Sequence, residues 1–380
     1  MNVPLSQSEL ARYSRHLSLR EIGLTGQEKL KAARVLVIGA GGLGSPSILY
    51  LAAAGVGTIG IVDFDTVDVS NLQRQVLFDT ASVGSYKAAI ARERLLALNP
   101  EITVIAHQIE LQANNVREVF ANYDVILDGT DRFGTRYLVN DACVILRKPL
   151  VSAAIHRFEG QAFTYVPDDG PCYRCLFAEP PADGLVPNCA EAGVLGVLPG
   201  VLGGIQATEA IKLIAGVGEP LIGRLLAYDA LEMRFSEFKF ARRNDCAVCG
   251  DHPTILSPTD LPEFCSSDVL AAIRRVSARE LQVMLVQQAE RIALIDVREP
   301  REFNAGHLPN AVNIPVRELQ HRSGELPTQT QLVFMCRSGV RSLAACGIAA
   351  RAGAISLVHL DGGLLAWASE VDPSFAVASA

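Results

Sequence analysis

RVLVIGAGGLGS, residues 34–45, places a β-branched run directly before four closely spaced glycines: Gly39, Gly41, Gly42 and Gly44. Their spacing fits G-x-G-x-x-G, in which a strand ends in a tight turn and a helix begins. Such a turn lets backbone N–H groups at the helix N-terminus approach a phosphate. The stretch therefore predicts a nucleotide site, although a tight turn in a parallel sheet without a nucleotide has the same pattern.

Alternating strand and helix patterns continue from this turn through the first half of the chain. The strand patterns are RVLVIG, TIGIVDFD, ITVIAHQ, YDVILDGTD and PLVSAA, and helical patterns such as SPSILYLAAA and SYKAAIARERLLAL lie between them. This alternation predicts an α/β fold with a Rossmann-like, doubly wound sheet. Residues 35–62 carry no charge and are long enough to cross a bilayer, but their glycine turns favour a buried strand–helix–strand unit.

The composition narrows the class of protein. With 380 residues, 49% of them apolar and 20% charged, the chain has room for two or three globular domains. The net charge of −7 argues against a nucleic-acid binder. The polar N-terminus lacks the apolar segment of a secretory signal, and nine cysteines with two C-x-x-C pairs favour metal binding and free thiols over disulfides. We therefore expect a cytoplasmic protein without membrane association.

A break in the pattern predicts the domain boundary. DHPTILSPTDLPEFCSSD, residues 251–268, contains three prolines and scattered polar residues. After it, the strand patterns RIALIDV, QLVFMC and SLVHL predict a smaller α/β domain. We expect a nucleotide-binding domain over residues 1–250, a linker over 251–275 and a second domain over 276–380.

Charged and polar residues at the predicted strand ends indicate which kind of nucleotide this site would bind. Asp63 lies about 20 residues after the glycines, at the end of the next strand, where a carboxylate can accept from ribose hydroxyls. Asn71, Arg74, Lys87 and Asp131 follow. Two cations and a carboxylate at this edge suit a triphosphate with Mg²⁺ better than a nicotinamide cofactor. A NAD-dependent dehydrogenase remains the alternative, and singly these residues could be solvated charges or a helix cap.

At these residues the chain resembles the MoeB/ThiF adenylyltransferase family, relatives of ubiquitin-activating enzymes. RYSRH, GAGGLGS, DFDTVDVSNLQRQ, GTD, EGQ, PCYRC and NCAEAGVLG carry the resemblance over roughly residues 10–250. It implies that ATP and the C-terminal carboxylate of a small ubiquitin-like carrier protein ending in Gly-Gly form an acyl-adenylate and pyrophosphate. RYSRH and NLQRQ favour the molybdopterin branch, while thiamine synthesis, tRNA thiolation and secondary metabolism also use such activators.

The resemblance also implies roles for individual residues and a homodimer. Asp63 would hold the ribose and Asp131 the Mg²⁺, while Arg15 would reach the phosphates from a second subunit. The chain departs from the family after GTD, where asparagine is usual and Arg132 stands here. The phosphates would be bound by Asn71, Arg74 and Lys87.

Two C-x-x-C pairs predict a metal centre: Cys172 with Cys175, and Cys246 with Cys249. Four thiolates suit tetrahedral Zn²⁺ and leave no open position for substrate, so the role would be structural. The long separation of the pairs weakens the case for one shared site, and the family resemblance strengthens it. Redox-active pairs are the alternative.

The remaining cysteines differ in context. Cys189 lies in an irregular segment, ADGLVPNCAEAG, and in relatives the corresponding residue is proposed to capture the acyl group or resolve an acyl-disulfide; an incidental thiol is the alternative. Cys143 and Cys346 lie in apolar helical patterns and are expected in the core. Cys265, in the linker, receives no role.

CRSGVRS, residues 336–342, follows a strand pattern and precedes a helical one. Backbone N–H groups at such a turn stabilise an anion, so Cys336 could carry a persulfide or attack a phosphate ester. Phosphatase loops need one more residue before the closing arginine, which favours sulfur chemistry here. The loop consists of Cys336, Arg337, Ser338, Gly339, Val340 and Arg341.

LIDVREPREFNAGHLPNAVNIP and DGGLLAW resemble rhodanese-type sulfurtransferases over roughly residues 276–369. The resemblance implies a persulfide on Cys336, loaded by a donor such as a cysteine desulfurase. Arg337 and Arg341 would bind an anionic donor or hold the loop by ion pairs, for which Asp296 is the candidate partner, and His307 would fix the loop. The two domains together predict carrier adenylation followed by thiocarboxylate formation; a regulatory rhodanese domain or a carrier-binding scaffold are the alternatives.

Overall fold

The computed structural model describes residues 3–180, 193–260, 273–319, 321–328, 330–375 and 377. These residues form two compact units, the first ending at residue 260 and the second beginning at residue 273. Within the described ranges, no helix combines the length and apolar character needed to cross a membrane.

The described part of the first unit is built on an eight-stranded sheet in the order β3-β2-β1-β4-β5-β6-β7-β8. Strands β1 to β5 pair in parallel, and β6 to β8 extend the sheet antiparallel. The α/β prediction is confirmed, and the antiparallel extension is an addition to it. The strands are β1 Arg34–Ile38, β2 Thr58–Val62, β3 Thr103–His107, β4 Val125–Asp128, β5 Leu150–His156, β6 Glu159–Tyr165, β7 Arg224–Asp229 and β8 Arg234–Lys239.

Helices cover both faces of this sheet, which explains the uncharged run from 35 to 62: most side chains of β1, β2 and the helix between them are buried, with Tyr50 exposed. One core contains side chains of α3, α4, α5 and α9, and the other contains those of α6 and α7, including the buried Cys143. The helices are α1 Gln7–Arg12, α2 Ser14–Leu17, α3 Gly23–Ala32, α4 Gly44–Ala54, α5 Lys87–Leu98, α6 Val116–Ala121, α7 Phe133–Ile145, α8 Tyr173–Leu176 and α9 Leu198–Ala215, with 3-10 turns at Val69–Asn71 and Thr80–Ser82.

The glycine turn joins β1 to α4 next to β4, where the strand order reverses. Gly39 has a φ of +88°, a left-handed conformation that favours glycine. A Cβ on Gly44 would lie 1.9 Å from the carbonyl oxygen of Gly39. Two glycines of the motif are thus required by backbone geometry, independently of any ligand.

We expect Gly44→Ala to destabilise the first unit by about 3 kcal/mol or more, because overpacking a rigid backbone contact typically costs about 1–3 kcal/mol and this overlap is severe. Urea unfolding followed by circular dichroism measures the change. Gly204→Ala in α9 is the matched control, since a Cβ there meets no described atom within 4 Å. Helix propensity makes that control neutral or stabilising, and equal midpoints for the two variants would contradict the steric argument.

The described part of the second unit contains a five-stranded parallel sheet in the order β11-β10-β12-β13-β9. Apolar clusters lie on both faces, and Cys346 is buried in one of them, as predicted. The elements are β9 Arg274–Val276, α10 Ala278–Gln288, β10 Ile292–Asp296, α11 Pro300–Ala305, β11 Val312–Asn313, β12 Gln331–Met335, α12 Val340–Arg351, β13 Leu357–Leu360 and α13 Gly363–Glu370, with 3-10 turns at Ala289–Arg291 and Ser323–Glu325.

Candidate functional site

Asp63 lies directly after β2 and is held against the glycine turn. Its Oδ2 accepts a hydrogen bond from the backbone N–H of Ala40 at 2.8 Å, and its Oδ1 accepts from that of Asp65 at 2.9 Å. Burial raises the pKa of Asp63, while the positive charge of Lys87 and these two hydrogen bonds lower it. The two hydrogen bonds therefore fix the carboxylate beside the glycine turn.

Lys87 and Arg74 bring positive charge to the same turn. Lys87 begins α5, is buried, and its Nζ lies 3.0 Å from Oδ2 of Asp65. Arg74 donates to the carbonyl oxygen of Ser70 at 3.0 Å, and its Cδ lies 3.8 Å from the position that a Cβ would take on Gly42. Arg74 thus lies next to the motif at Gly42, and the positive charge of Lys87 acts on Asp63, which contacts the motif at Ala40.

Asn71 has a local structural contact. Its Oδ1 accepts from the backbone N–H of Asp68 at 3.1 Å and closes the 3-10 turn Val69–Asn71. This contact fixes the start of the segment that carries Arg74.

Gln75 is a residue of this site that the sequence interpretation did not single out. It is 4% exposed, and among the described residues its buried Oε1 has no hydrogen-bond partner. Its Nε2 lies 3.6 Å from the position of a Cβ on Gly41. A buried amide oxygen without a donor, beside an open glycine turn, fits a polar ligand that offers a hydrogen-bond donor, such as a ribose hydroxyl of a nucleotide. In the sequence, its position inside the NLQRQ motif was the feature that could have indicated Gln75 as a residue of this site.

Asp131 lies on the loop after β4, and its side chain is exposed. The buried Asp128 supports this loop: its Oδ1 accepts from the backbone N–H and the hydroxyl of Thr130 at 3.0 and 2.7 Å. The guanidinium of Arg136, in the first turn of α7, lies 3.3 Å from Asp128 Oδ2 and also donates to the carbonyl of Thr130 at 2.7 Å. The contacts of Asp128 and Arg136 with Thr130 therefore fix the backbone next to Asp131.

Arg132, the departure from the family pattern, bridges three strand ends. Its guanidinium lies 3.3 Å from Oε1 of Glu110 and 5.2 Å from the centre of the Phe64 ring. The three residues follow β4, β3 and β2, so the substitution adds a charged contact at the edge that carries Asp63 and Asp131.

The structure does not bring every predicted residue to this edge. Arg15 lies on α2 with its side chain exposed. Cys189 and Cys265 lie outside the described residues.

The four predicted metal ligands converge. The Sγ atoms of Cys172, Cys175, Cys246 and Cys249 all lie within 4.8 Å of one another, with Cys172 and Cys246 at 3.7 Å and Cys175 and Cys249 at 3.3 Å. Zinc–sulfur bonds of about 2.3 Å in a tetrahedron place sulfurs about 3.8 Å apart. The cluster is thus compatible with a zinc ion and joins two segments 70 residues apart in sequence.

Hydrogen bonds connect this cluster to α7. Asn140 accepts from the backbone N–H of Tyr173 at 2.8 Å. Asp141 accepts two hydrogen bonds from the Arg174 guanidinium at 2.7 and 2.8 Å, and all four side chains are buried. Because α7 begins just after the Asp131 loop, the four-cysteine cluster and this edge of the sheet are linked through one helix.

In the second unit, Cys336 lies at the turn between β12 and α12, with 1% of its surface exposed. Its Sγ accepts from the backbone N–H of Gly339 at 3.2 Å, and the hydroxyl of Ser342 lies 3.5 Å away. Gly339 has a φ of +98°, which turns its N–H inward. N–H groups of Leu364 and Leu365 donate to the carbonyl oxygens of Cys336 and Arg337.

The partner proposed for Arg341 was wrong. Arg341 forms a bidentate ion pair with Glu302 of α11, at 2.6 and 2.7 Å. Asp296 pairs instead with Arg298 at 2.7 Å, and neither of those side chains is exposed. Asp296 is buried in its pair with Arg298 and is therefore not the partner of Arg341. The sequence did not indicate Glu302 as that partner because 39 residues separate it from Arg341.

We expect Glu302→Gln to destabilise the second unit by about 1–3 kcal/mol at pH 7. The hydrogen bond from Arg341 holds the pKa of Glu302 below its ordinary value. The stabilisation is therefore full above about pH 4.3, the ordinary glutamate value, and is lost as the pH falls through the lowered pKa. Unfolding followed by the fluorescence of Trp367, the chain's one tryptophan, measures it.

Glu318→Gln is the control for this variant. Glu318 pairs with Arg322 at the surface, where ion pairs contribute about 0–1 kcal/mol. Equal losses in the two variants, or an unchanged acid transition in Glu302→Gln, would contradict the assignment.

His307 contacts Phe303 of the preceding helix, α11. Its ring stacks on Phe303 with centroids 4.0 Å apart, and Nδ1 lies 3.1 Å from the carbonyl oxygen of Phe303. These contacts agree with a structural role.

Two family models match the chain: the ThiF family over residues 13–248 and the rhodanese-like domain over residues 277–370. The chain belongs to the ThiF family. The probable adenylyltransferase/sulfurtransferase MoeZ of Mycobacterium tuberculosis is 48% identical, with 97% of this chain and 95% of the relative covered. A sulfur carrier protein adenylyltransferase of Thermus thermophilus is 51% identical over 68% of this chain and 98% of its own length.

Solved structures also match a large part of the chain. The structure of Escherichia coli MccB with ATP aligns with a TM-score of 0.56 and 26% identity, covering 64% of this chain and 75% of that one. The predicted resemblance to ThiF and rhodanese proteins is confirmed. This ThiF-family chain is an ATP-using adenylyltransferase and a sulfurtransferase.

Proposed function

We propose that this chain adenylates the C-terminal glycine of a small ubiquitin-like sulfur-carrier protein and then converts it to a thiocarboxylate with sulfur from a Cys336 persulfide. The observation that carries the proposal is the presence of both sites in one chain. A glycine turn flanked by Asp63, Arg74 and Lys87 suits a nucleotide. A cysteine at a strand-to-helix turn, whose Sγ accepts from a backbone N–H, suits a sulfur anion.

In the adenylation step, Asp63 binds the ribose and Asp131 binds Mg²⁺, which supplies charge neutralisation at the phosphates. Carboxylate attack on the α-phosphate requires positioning and neutralised charge more than covalent help. The hydrogen bonds that fix the backbone next to Asp131 support its role in binding Mg²⁺. Arg15 acts from the second subunit of a homodimer, and Asn71, Arg74 and Lys87 bind the phosphates.

In the sulfur step, the terminal sulfur of the Cys336 persulfide attacks the adenylated carbonyl, a carbon–sulfur bond forms and AMP leaves. A thiolate, for which we propose Cys189, then attacks Sγ of Cys336. The thiocarboxylate leaves, a Cys189–Cys336 disulfide forms, and an external thiol reduces it. A cysteine desulfurase or another persulfide donor reloads Cys336, with Arg337 and the rest of the loop around the incoming sulfur.

The domain boundaries belong to the same proposal. We assign residues 1–250 to adenylation, 251–275 to a linker and 276–380 to sulfur transfer. Tethering the two domains raises the effective concentration of the persulfide near the acyl-adenylate.

The experiment is intact-mass analysis of candidate carriers ending in Gly-Gly, after incubation with this protein, Mg²⁺-ATP and a persulfide donor. The expected result is an oxygen-to-sulfur mass gain that requires both ATP and the donor. A carrier that is adenylated without gaining sulfur would reject the sulfur step and retain the first. Carrier binding without either product would favour a scaffold.

We expect Asp131→Asn to lower carrier-dependent ATP–pyrophosphate exchange by about 100-fold or more, because one carboxylate of a metal–phosphate site is neutralised. Asp169→Asn is the control, since Asp169 is an exposed carboxylate of the same unit. Wild-type exchange in Asp131→Asn would remove Asp131 from the site.

A further inference from the structure

A buried chain of polar groups leads from Cys336 through Ser342 to His359 on β13. The hydroxyl oxygen of Ser342 lies 3.5 Å from Cys336 Sγ, 3.0 Å from the carbonyl oxygen of Gly339 and 3.1 Å from Nδ1 of His359. Ser342 is 0% exposed and His359, on β13, is 2% exposed. Buried polar groups at these distances have few alternative partners, so their hydrogen bonds direct one another.

We propose that His359 is a positioning residue that directs the Ser342 hydroxyl proton toward the sulfur of Cys336. The proposal rests on the proposed role of Cys336 as the sulfur carrier. A serine hydroxyl has one proton to donate. When Nδ1 of His359 carries its own proton, it donates to the Ser342 oxygen. The serine proton then has the Cys336 sulfur and the Gly339 carbonyl as acceptors.

Charge selects the sulfur from these two acceptors. Hydrogen bonds to an ionised group are about twice as strong as those between neutral groups, so a thiolate or persulfide anion at Cys336 attracts the serine proton more than the carbonyl does. The Gly339 N–H already donates to the same sulfur. With Ser342, the sulfur anion has two donors, and its protonated form becomes less favourable.

The groups around His359 keep it neutral. The pKa of His359 is lowered to about 4, chiefly by burial; the negative charge of Asp361 raises it and the positive charge of Arg275 on β9 lowers it, each by less than burial does. Asp361 Oδ1 lies 3.8 Å from Nε2, beyond hydrogen-bonding distance, and its side chain is exposed. At neutral pH, His359 therefore stays neutral. It forms a fixed hydrogen bond and does not take up a proton.

The position of Gly339 ties the same histidine to the loop backbone. A Cβ on Gly339 would lie 3.3 Å from Cε1 of His359. The imidazole thus packs against the turn whose N–H faces Cys336. A replacement must keep both this packing and the donor at the Nδ1 position.

The test is the pH profile of Cys336 alkylation by iodoacetamide in the full-length protein, followed by peptide mass analysis, together with thiocarboxylate formation. We expect His359→Leu, His359→Gln and Ser342→Ala each to lower the rate of Cys336 alkylation at neutral pH by about tenfold, because each removes a charge-assisted hydrogen bond to the thiolate. His359→Asn places an amide near the Nδ1 position and is expected to recover most of the reactivity. His359→Leu combined with Ser342→Ala should lose no more than either single variant, because both act through one hydrogen bond.

Trp367 fluorescence shows whether each variant folds, and His359→Gln replaces His359→Leu if the latter does not. A wild-type pH profile in His359→Gln would overturn the proposal, as would equal losses in His359→Asn and His359→Leu, which would indicate packing alone. Additive losses in the double variant would also overturn it. Alkylation needs no carrier or ATP, so a failure of the proposed function would leave this result interpretable.

Discussion

Replacing Cys336 with alanine is expected to lower carrier thiocarboxylate formation by about 100-fold or more and to leave carrier-dependent ATP–pyrophosphate exchange unchanged. The substitution removes the atom that would carry the sulfur, and nucleophiles of covalent mechanisms are not replaced by neighbouring groups. Cys336 is also part of a buried cluster, so the variant is examined for folding by Trp367 fluorescence.

Cys346→Ala is the matched control. Cys346 is a buried cysteine of the same unit, its thiol contacts the carbonyl of Val358, and burial raises its pKa to about 12. We expect this variant to lose some stability and to keep sulfur transfer. Thiocarboxylate formation at the wild-type rate in Cys336→Ala, with a persulfide donor as sulfur source, would contradict the proposed mechanism.

Loss of the metal centre is expected to have the largest effect on stability. Removing zinc with a chelator, or replacing Cys246 with serine, should unfold or strongly destabilise the first unit, because structural zinc contributes about 10–16 kcal/mol of apparent binding energy in small domains. Through Asn140 and Asp141, the cluster is joined to the helix that follows the Asp131 loop. We therefore expect ATP–pyrophosphate exchange to be lost with the metal.

The measurements are zinc content per chain, thermal unfolding and exchange, with Cys143→Ala as a control that changes a buried cysteine of the same unit outside the cluster. Persulfide loading of Cys336 should survive zinc removal, since the second unit has its own cores. A protein that binds no zinc and keeps its unfolding temperature would favour the redox interpretation of the two C-x-x-C pairs.

The parts of the fold that the sequence predicts are those with a local cause. The turn at Gly39 and Gly44 follows from backbone geometry that few other residues allow. The parallel strands follow from continuous β-branched runs that are buried on both faces. The antiparallel strands β7 and β8 were not predicted, because RLLAYD and RFSEFK are largely exposed or half-buried and lack a clear alternation.

The parts that the sequence does not predict depend on contacts between distant segments. Glu302 meets Arg341 across 39 residues, and His359 meets Ser342 across 17. In sequence, His359 is one more residue of a strand pattern, and Gln75 is one letter of a motif. Their burial next to a functional loop distinguishes these two residues from their neighbours in sequence. Because burial of a polar side chain depends on the folded structure, the sequence does not predict it.

Because Cys336 is almost fully buried, the enzyme without a persulfide should differ in reactivity from the enzyme that carries one. A persulfide bond places its outer sulfur about 2 Å beyond Sγ. The resting thiol, 1% exposed, offers almost no surface to a visiting protein. In the proposed mechanism the persulfide would add an outer sulfur to this loop, so a carrier that arrives before Cys336 is loaded would meet no nucleophile.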